Sequence, residues 1–297
     1  MNSSFSHGLP VLLGIQILCA GALVSPPTWF DATPRAQGTT LAHGDESPEA
    51  ATVADATSTS GVSSSHGAAP LPVPVVLRSS GAIEADLDLF RSLLGGSNNG
   101  ATPGEQSSGR REINWDGVPS ALTNVPTFPP DFFNTNSPRG LIYESPTPGL
   151  EVSDQSFSDV NPDYAGEFVP FSGHKVFSPI GTNEATLHFA VAGSTTKAGV
   201  RGIGIVFVDV DKTGTTAIEL LGENGVKLGR FTAPVRSDRR GSSFLGIVFR
   251  NPVIREVHVV TGDAALSIGE VDVKHGGQHD LVVMDDFIYG EPTATRN

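Results

Sequence analysis

The chain has almost no cysteine, methionine, tryptophan or tyrosine. Its 297 residues include one Cys, two Met, two Trp and three Tyr. The single Cys19 lies in the apolar run 9–24. That run has signal-peptide length and is short for a membrane span, and Ala20-Gly21-Ala22 supplies small residues for cleavage. A secreted chain cut near Ala22 would carry no cysteine, so neither a disulfide framework nor a thiolate metal site can stabilise it. Positive charge is also scarce: 19 Lys and Arg against 32 Asp and Glu give a formal net charge of −13. An acidic surface repels phosphate backbones, which argues against a nucleic-acid partner. No Gly-x-Ser-x-Gly elbow is present, and Gly202-Ile-Gly204 sits inside an apolar strand, so it does not read as a nucleotide loop.

What is present is organised unevenly. Residues 1–24 read as a signal peptide. Residues 25–80 are rich in Ala, Ser, Thr and Pro with few large apolar side chains, the composition of a disordered linker. One amphipathic helix is predicted within 81–95, because Ile83, Leu87, Phe90 and Leu94 share a face and Gly95-Gly96 provide a stop. A flexible linker is expected over 96–109.

From 110 to 293 the pattern is all-β, a jelly-roll-like β-sandwich. Its first part is an irregular wrap in which Trp115, Phe128, Phe132 and Phe133 alternate with prolines. Short strands follow, punctuated by turn residues and without intervening helices. Over most of 203–210 both alternating sets are apolar, as expected of a central strand, with Asp209 closing one of them.

Two acidic clusters sit at strand ends. In Asp209-Val-Asp211-Lys-Thr213-Gly214, oxygen-bearing residues at alternate positions can converge on a hard cation. The competing reading, which is preferred, is a tight hairpin turn joining 203–210 to 217–221. Asp285-Asp286 is embedded in an apolar strand. Neighbours in a strand point to opposite faces, so one of the two needs a buried partner: a cation, an Arg or backbone N–H groups. Asp209, Asp211, Thr213, Asp285 and Asp286 are therefore the candidate metal ligands, with calcium as a structural ion. Trp115 and Tyr289 are the candidate ligand-binding aromatics, although a core role for Trp115 is the more economical. His275 and His279 flank Gly276-Gly277 and read as a solvated loop.

Segments 109–119 (GRREINWDGVP), 131–134 (DFFN), 137–140 (SPRG), 207–211 (FVDVD), 244–249 (FLGIVF) and 282–292 (VVMDDFIYGEP) together resemble a family of secreted, chiefly bacterial proteins with no assigned activity. The resemblance covers about residues 82–292. It implies a C-terminal domain like the lectin-like and carbohydrate-binding jelly rolls, in which a last-strand carboxylate, here Asp285 or Asp286, helps hold calcium. The expectation is an extracellular binding module for polysaccharide or cell-surface glycan, non-catalytic and without a membrane-integral segment once mature. A glycan hydrolase and a structural matrix protein are the alternatives.

Overall fold

The structure is a computed structural model and describes residues 71–144, 149–236 and 241–295. The expected signal peptide and most of the expected linker lie outside them. The first elements are β1 (Val75–Ser80), helix α1 (Glu84–Leu94), β2 (Arg110–Ile113), the one-turn helix α2 (Phe132–Thr135), β3 (Leu141–Glu144) and β4 (Leu150–Ser153). Then come β5 (Val176–Pro179), β6 (Glu184–Phe189), β7 (Ala198–Gly199), β8 (Gly202–Val208), β9 (Ala217–Leu221) and β10 (Lys227–Thr232). The last are β11 (Ser242–Val248), β12 (Glu256–Val260), β13 (Val283–Gly290) and β14 (Thr293–Ala294).

Two large antiparallel sheets form a sandwich. The seven-stranded sheet runs β1-β11-β8-β13-β5-β4, with β2 also on β13, and the five-stranded sheet runs β10-β9-β12-β6-β3. Alternation sets the faces. Ile203, Ile205 and Phe207 of β8 meet Leu187, Val257 and Val259 of the other sheet in the main core, while Val206 points the other way, toward α1. Among the described residues, no helix is long and apolar enough to cross a membrane.

Helix α1 docks on the outer face of the seven-stranded sheet. Ile83, Leu87, Phe90 and Leu94 are all buried there against Val206, Phe244, Val248 and Ile288. Each such side chain contributes about 1.5–3 kcal/mol on burial, which offsets the instability of an isolated helix this short. Gly95, at φ 76°, ends the helix. The sheet makes room for Phe90 with Gly204 and Gly246, which pair across β8 and β11. A Cβ on either would stand 2.7 Å from the Phe90 ring. Gly204→Ala is expected to destabilise the fold by about 1–3 kcal/mol through overpacking, read as a lower urea midpoint at unchanged slope. An unaltered midpoint would mean that the helix is not seated as described.

Three boundaries differ from the sequence expectation. Val75–Ser80 is a strand paired with β11, not linker. Segment 96–109 is not a free linker, because it wraps the guanidinium of Arg111, which is fully buried. The carbonyls of Gly100, Thr102 and Gly104 accept from Arg111 at 2.9, 2.7 and 3.2 Å, and Glu291 takes its Nε and Nη2 at 2.7 and 2.6 Å. A buried guanidinium needs acceptors, and a Gly/Ser/Thr segment can fold its carbonyls inward to supply them. Finally, β8 and β9 are not a hairpin. They belong to different sheets, so 209–216 is a crossover between the layers.

Candidate metal centre

That crossover determines the site. β13 is antiparallel to β8 with Val283 opposite Val208, and β12 is antiparallel to β9 with Val260 opposite Ala217. The end of β8, the start of β9, the end of β12 and the start of β13 therefore meet at one end of the sandwich. Carboxylates just outside these strands are brought together although they lie far apart in the chain.

Asp209 follows β8 directly, at φ 71°, and is 1% exposed. Positive φ is uncommon for a residue with a Cβ, and Asp is among the residues that tolerate it. The conformation turns its carboxyl inward. Asp211 N–H and Lys212 N–H donate to Asp280 at 2.8 and 3.2 Å, and the Thr215 hydroxyl also donates to Asp280. Asp272 caps the 3-10 turn Val273–His275, accepting from Lys274 N–H at 2.8 Å and from Leu281 N–H at 2.9 Å. Glu167 enters from the loop before β5, 3.2 Å from His275 Nδ1.

Oxygens of Glu167, Asp209 and Asp272 lie within 4.8 Å of one another, as do those of Asp211, Asp272 and Asp280. Asp272 joins the two groups. One ammonium enters this set: Lys274 Nζ contacts Asp209 and stands 2.6 Å from Asp211 Oδ1. Oδ2 of Asp209 and Oδ2 of Asp211 are shielded from solvent and accept no hydrogen bond. A cavity of about 310 Å³, lined by Asp163, Tyr164, Glu167, Val271, Asp272 and His275, lies against the cluster.

Burial pushes Asp209 and Asp211 up to about 7. Lys274 opposes the rise at both, and neighbouring carboxylates reinforce it. Burial also raises Asp280. These carboxyls hold a proton more tightly folded than unfolded, where an aspartate titrates at about 4. Their contribution is complete in acid and is lost as pH rises through about 7. Without added cations, the urea midpoint is expected to fall as pH is raised from about 5 to about 8. A midpoint that climbs over that interval would contradict the burial described.

The second acidic pair does not join this cluster. Opposite β8, Met284 pairs with Phe207 and Phe287 with Ile205, so Asp285 and Asp286 together face one residue across a β-bulge. Met284 and Phe287 both point into the main core, and the bulge leaves both carboxyls on the opposite side of the sheet. The opposite-face expectation fails here because the extra residue resets the alternation. Phe171 N–H and Ser172 N–H donate to Asp285 at 2.6 and 3.3 Å, and Ser172 Oγ lies 2.6 Å from Asp286. Burial, then the charge of Asp286, pushes Asp285 up to about 8. Backbone and hydroxyl donors satisfy this pair, and it enters neither of the two carboxylate groups at the sandwich end.

Neither candidate aromatic is a ligand platform, and Trp115 takes the core role preferred for it. Trp115 is 1% exposed, stacked on Phe177 at 4.2 Å, with its Nε1–H donating to Asp285 O at 2.7 Å. Tyr289 is fully buried and its hydroxyl donates to Arg139 O. Neither offers a ring face to an external ligand. Thr213 is exposed in the crossover, and it is Thr215 that reaches Asp280. His275 closes the 3-10 turn Val273–His275 beside Glu167, and His279 lies in the loop that follows, beside Asp263.

Sequence reasoning found Asp209 and Asp211 but missed Glu167, Asp272, Lys274 and Asp280. One signal was available: Asp209 closes one central apolar strand and Asp280 precedes another, so antiparallel adjacency would place them at the same end. No protein-family model matches the chain, and no curated protein sequence matches it either.

Proposed function

We propose that this chain is a secreted, non-catalytic binding module of jelly-roll type whose end loops are held by a calcium ion in the Glu167–Asp209–Asp211–Asp272–Asp280 cluster. The observation that carries this reading is the surplus of buried carboxylate over positive charge, with two oxygens lacking any hydrogen-bond donor. Calcium takes six to eight oxygens in flexible geometry, and such a set suits it better than a metal that wants nitrogen or sulfur. A succession of antiparallel strands that passes repeatedly between two sheets supports the jelly-roll reading.

In this reading Lys274 holds the cation's place. Its ammonium brings one charge and three donors to a pocket of carboxylates, and a divalent ion brings two charges and no fixed direction. Calcium binding therefore displaces Lys274 and takes protons off Asp209 and Asp211. Affinity rises with pH through about 7 for that reason.

For the partner we propose a polysaccharide or cell-surface glycan. It would lie in the cleft of about 730 Å³ beside the five-stranded sheet, where Ile142 and Leu221 give an apolar floor and Asn134, Glu223 and Arg255 a polar rim. A non-catalytic role is favoured because Asp285 and Asp286, the one adjacent carboxyl pair on a central strand, are covered and cannot flank a substrate.

The test is calorimetric titration of calcium into chelator-treated full chain at pH 8. One saturable site is expected, absent in Asp209→Asn. Saturable binding that survives in that variant would place the ion elsewhere.

A further inference from the structure

A different set of donors occupies the outer face of the five-stranded sheet. Strand pairing sets His188 of β6 opposite Glu256 of β12, and His258 opposite Thr186 of β6 and Glu219 of β9. His258 is thus the diagonal neighbour of His188 on the same face, close enough for long side chains to meet. Glu256 lies between the two imidazoles. Its Oε1 is 2.5 Å from His258 Nε2 and its Oε2 is 3.6 Å from His188 Nδ1. On the far side of the His188 ring, Nε2 stands 2.9 Å from Glu144 Oε2.

The two carboxylates compete for one ring. An ionised carboxylate only accepts, so the short contact to Glu144 places the proton of a neutral His188 on Nε2. Nδ1 then presents a lone pair to the Glu256 carboxylate across a gap too long for a hydrogen bond. Two acceptors facing each other are reconciled either by a proton on Nδ1 or by a cation between them. Ligands at 2.0–2.2 Å from a tetrahedral zinc stand about 3.4 Å apart, which matches the 3.6 Å separation. A ligating imidazole commonly gives its other N–H to a carboxylate, as His188 does to Glu144.

We propose that His188, Glu256 and His258 bind a divalent transition-metal ion of the zinc class, with Glu144 as the residue that positions His188. Nitrogen donors separate this site from the all-oxygen cluster at the sandwich end, and the two share no residue. Strand backbones hold all four side chains, but the donors of His188, Glu256 and His258 do not all lie within 4.8 Å of one another, so binding an ion requires rotamer changes that open the Glu256–His258 contact and bring the two imidazoles closer. His188, Glu256 and His258 remain 37%, 32% and 42% exposed, which leaves an ion a way in. Three protein ligands leave a coordination position for water. That water would face the cavities on either side, one of about 370 Å³ reaching His258 and Glu144, the other the 730 Å³ cleft reaching His188 and Glu256.

The experiment uses the full chain with calcium in millimolar excess, so that the oxygen cluster is filled beforehand. Cobalt(II) is titrated while its visible absorption is followed, and zinc is then added in competition. One equivalent with the intense bands of a tetrahedral nitrogen-bearing site is expected, bleached by zinc. His188→Gln, His258→Gln and Glu256→Gln should each remove it. Glu144→Gln should weaken binding by about 10–100-fold without abolishing the bands. His188, Glu256 and His258 are partly exposed and Glu144 is exposed, so circular dichroism and thermal midpoint should stay close to wild type. No saturable absorption would overturn the proposal, as would bands that persist in the double variant His188→Gln/His258→Gln. In both cases the histidines and glutamates are only a cross-strand ion-pair ladder, whatever the calcium titration shows.

Discussion

Lys274→Met lowers the stability of the cation-free chain by about 3 kcal/mol at pH 8 and strengthens calcium binding. The two effects have one cause. Lys274 is 15% exposed on its side chain and contacts two carboxylates that are 1% and 5% exposed. Removing the ammonium leaves buried negative charge uncompensated, which is the costly way to break a buried pair. The same removal deletes calcium's competitor, and Met fills the volume without bringing a charge. The stability loss should shrink near pH 6, where Asp209 and Asp211, both raised to about 7, can take protons instead. Urea unfolding in chelator at both pH values, paired with calorimetry in calcium, reads all three effects. A variant as stable as wild type at pH 8, or one that binds calcium more weakly, would show that Lys274 is not the occupant of a cation position.

Glu291→Gln is expected to cost about 3–5 kcal/mol and to lower the thermal midpoint by about 10 °C or more. Arg111 cannot give up its charge, and it is fully buried with Glu291 as its one carboxylate partner among the described residues, through two bonds of 2.7 and 2.6 Å. Three carbonyls from segment 96–109 and that of Pro138 at 3.3 Å complete its shell, and Glu291 itself also accepts from Asn99 and from Gln106 N–H. A neutral amide at 291 returns one acceptor and turns a donor toward the guanidinium. The fold around this pair should loosen, and limited proteolysis should cut within 96–109 before global unfolding. The exposed pair Arg255–Glu223 is the control, since Glu223→Gln there should change stability by at most about 1 kcal/mol. Equal, small effects of the two substitutions would refute the assignment of Arg111 as a buried anchor.

The parts of this fold readable in the sequence are those governed by local period. Ile83, Leu87, Phe90 and Leu94 fall at helical spacing, and the structure seats all four on one sheet face. The two-sided apolar pattern of 203–208 marks a strand covered on both faces, and β8 is buried along its whole length. What escaped depends on pairings between distant segments. One extra residue at Asp285-Asp286 breaks an alternation that the sequence alone presents as unbroken. Segment 96–109 looks flexible by composition, and its order comes from a guanidinium that only the β2–β13 pairing carries into the interior. The cluster at the sandwich end draws Glu167, Asp209, Asp211, Asp272 and Asp280 from three separate loops, and nothing in their spacing announces that they meet. The proline-rich pattern around Trp115 says nothing of burial, and the core role preferred for this residue is the one it takes. The segment delivers five-ring packing around Trp115, with Phe128, Phe133, Tyr143, Phe177 and Phe287.

The measurement that bears most directly on the calcium centre is thermal unfolding of the full chain at pH 8, first in chelator and then in saturating calcium, for wild type and Asp209→Asn. An ion that binds only the folded state at about 100 times its dissociation constant adds about 2.7 kcal/mol. For a domain of this size that raises the midpoint by about 5–10 °C. The rise is expected in wild type and not in Asp209→Asn. A wild-type midpoint that does not move with calcium, or a rise of equal size in the variant, would contradict a cation held by this cluster.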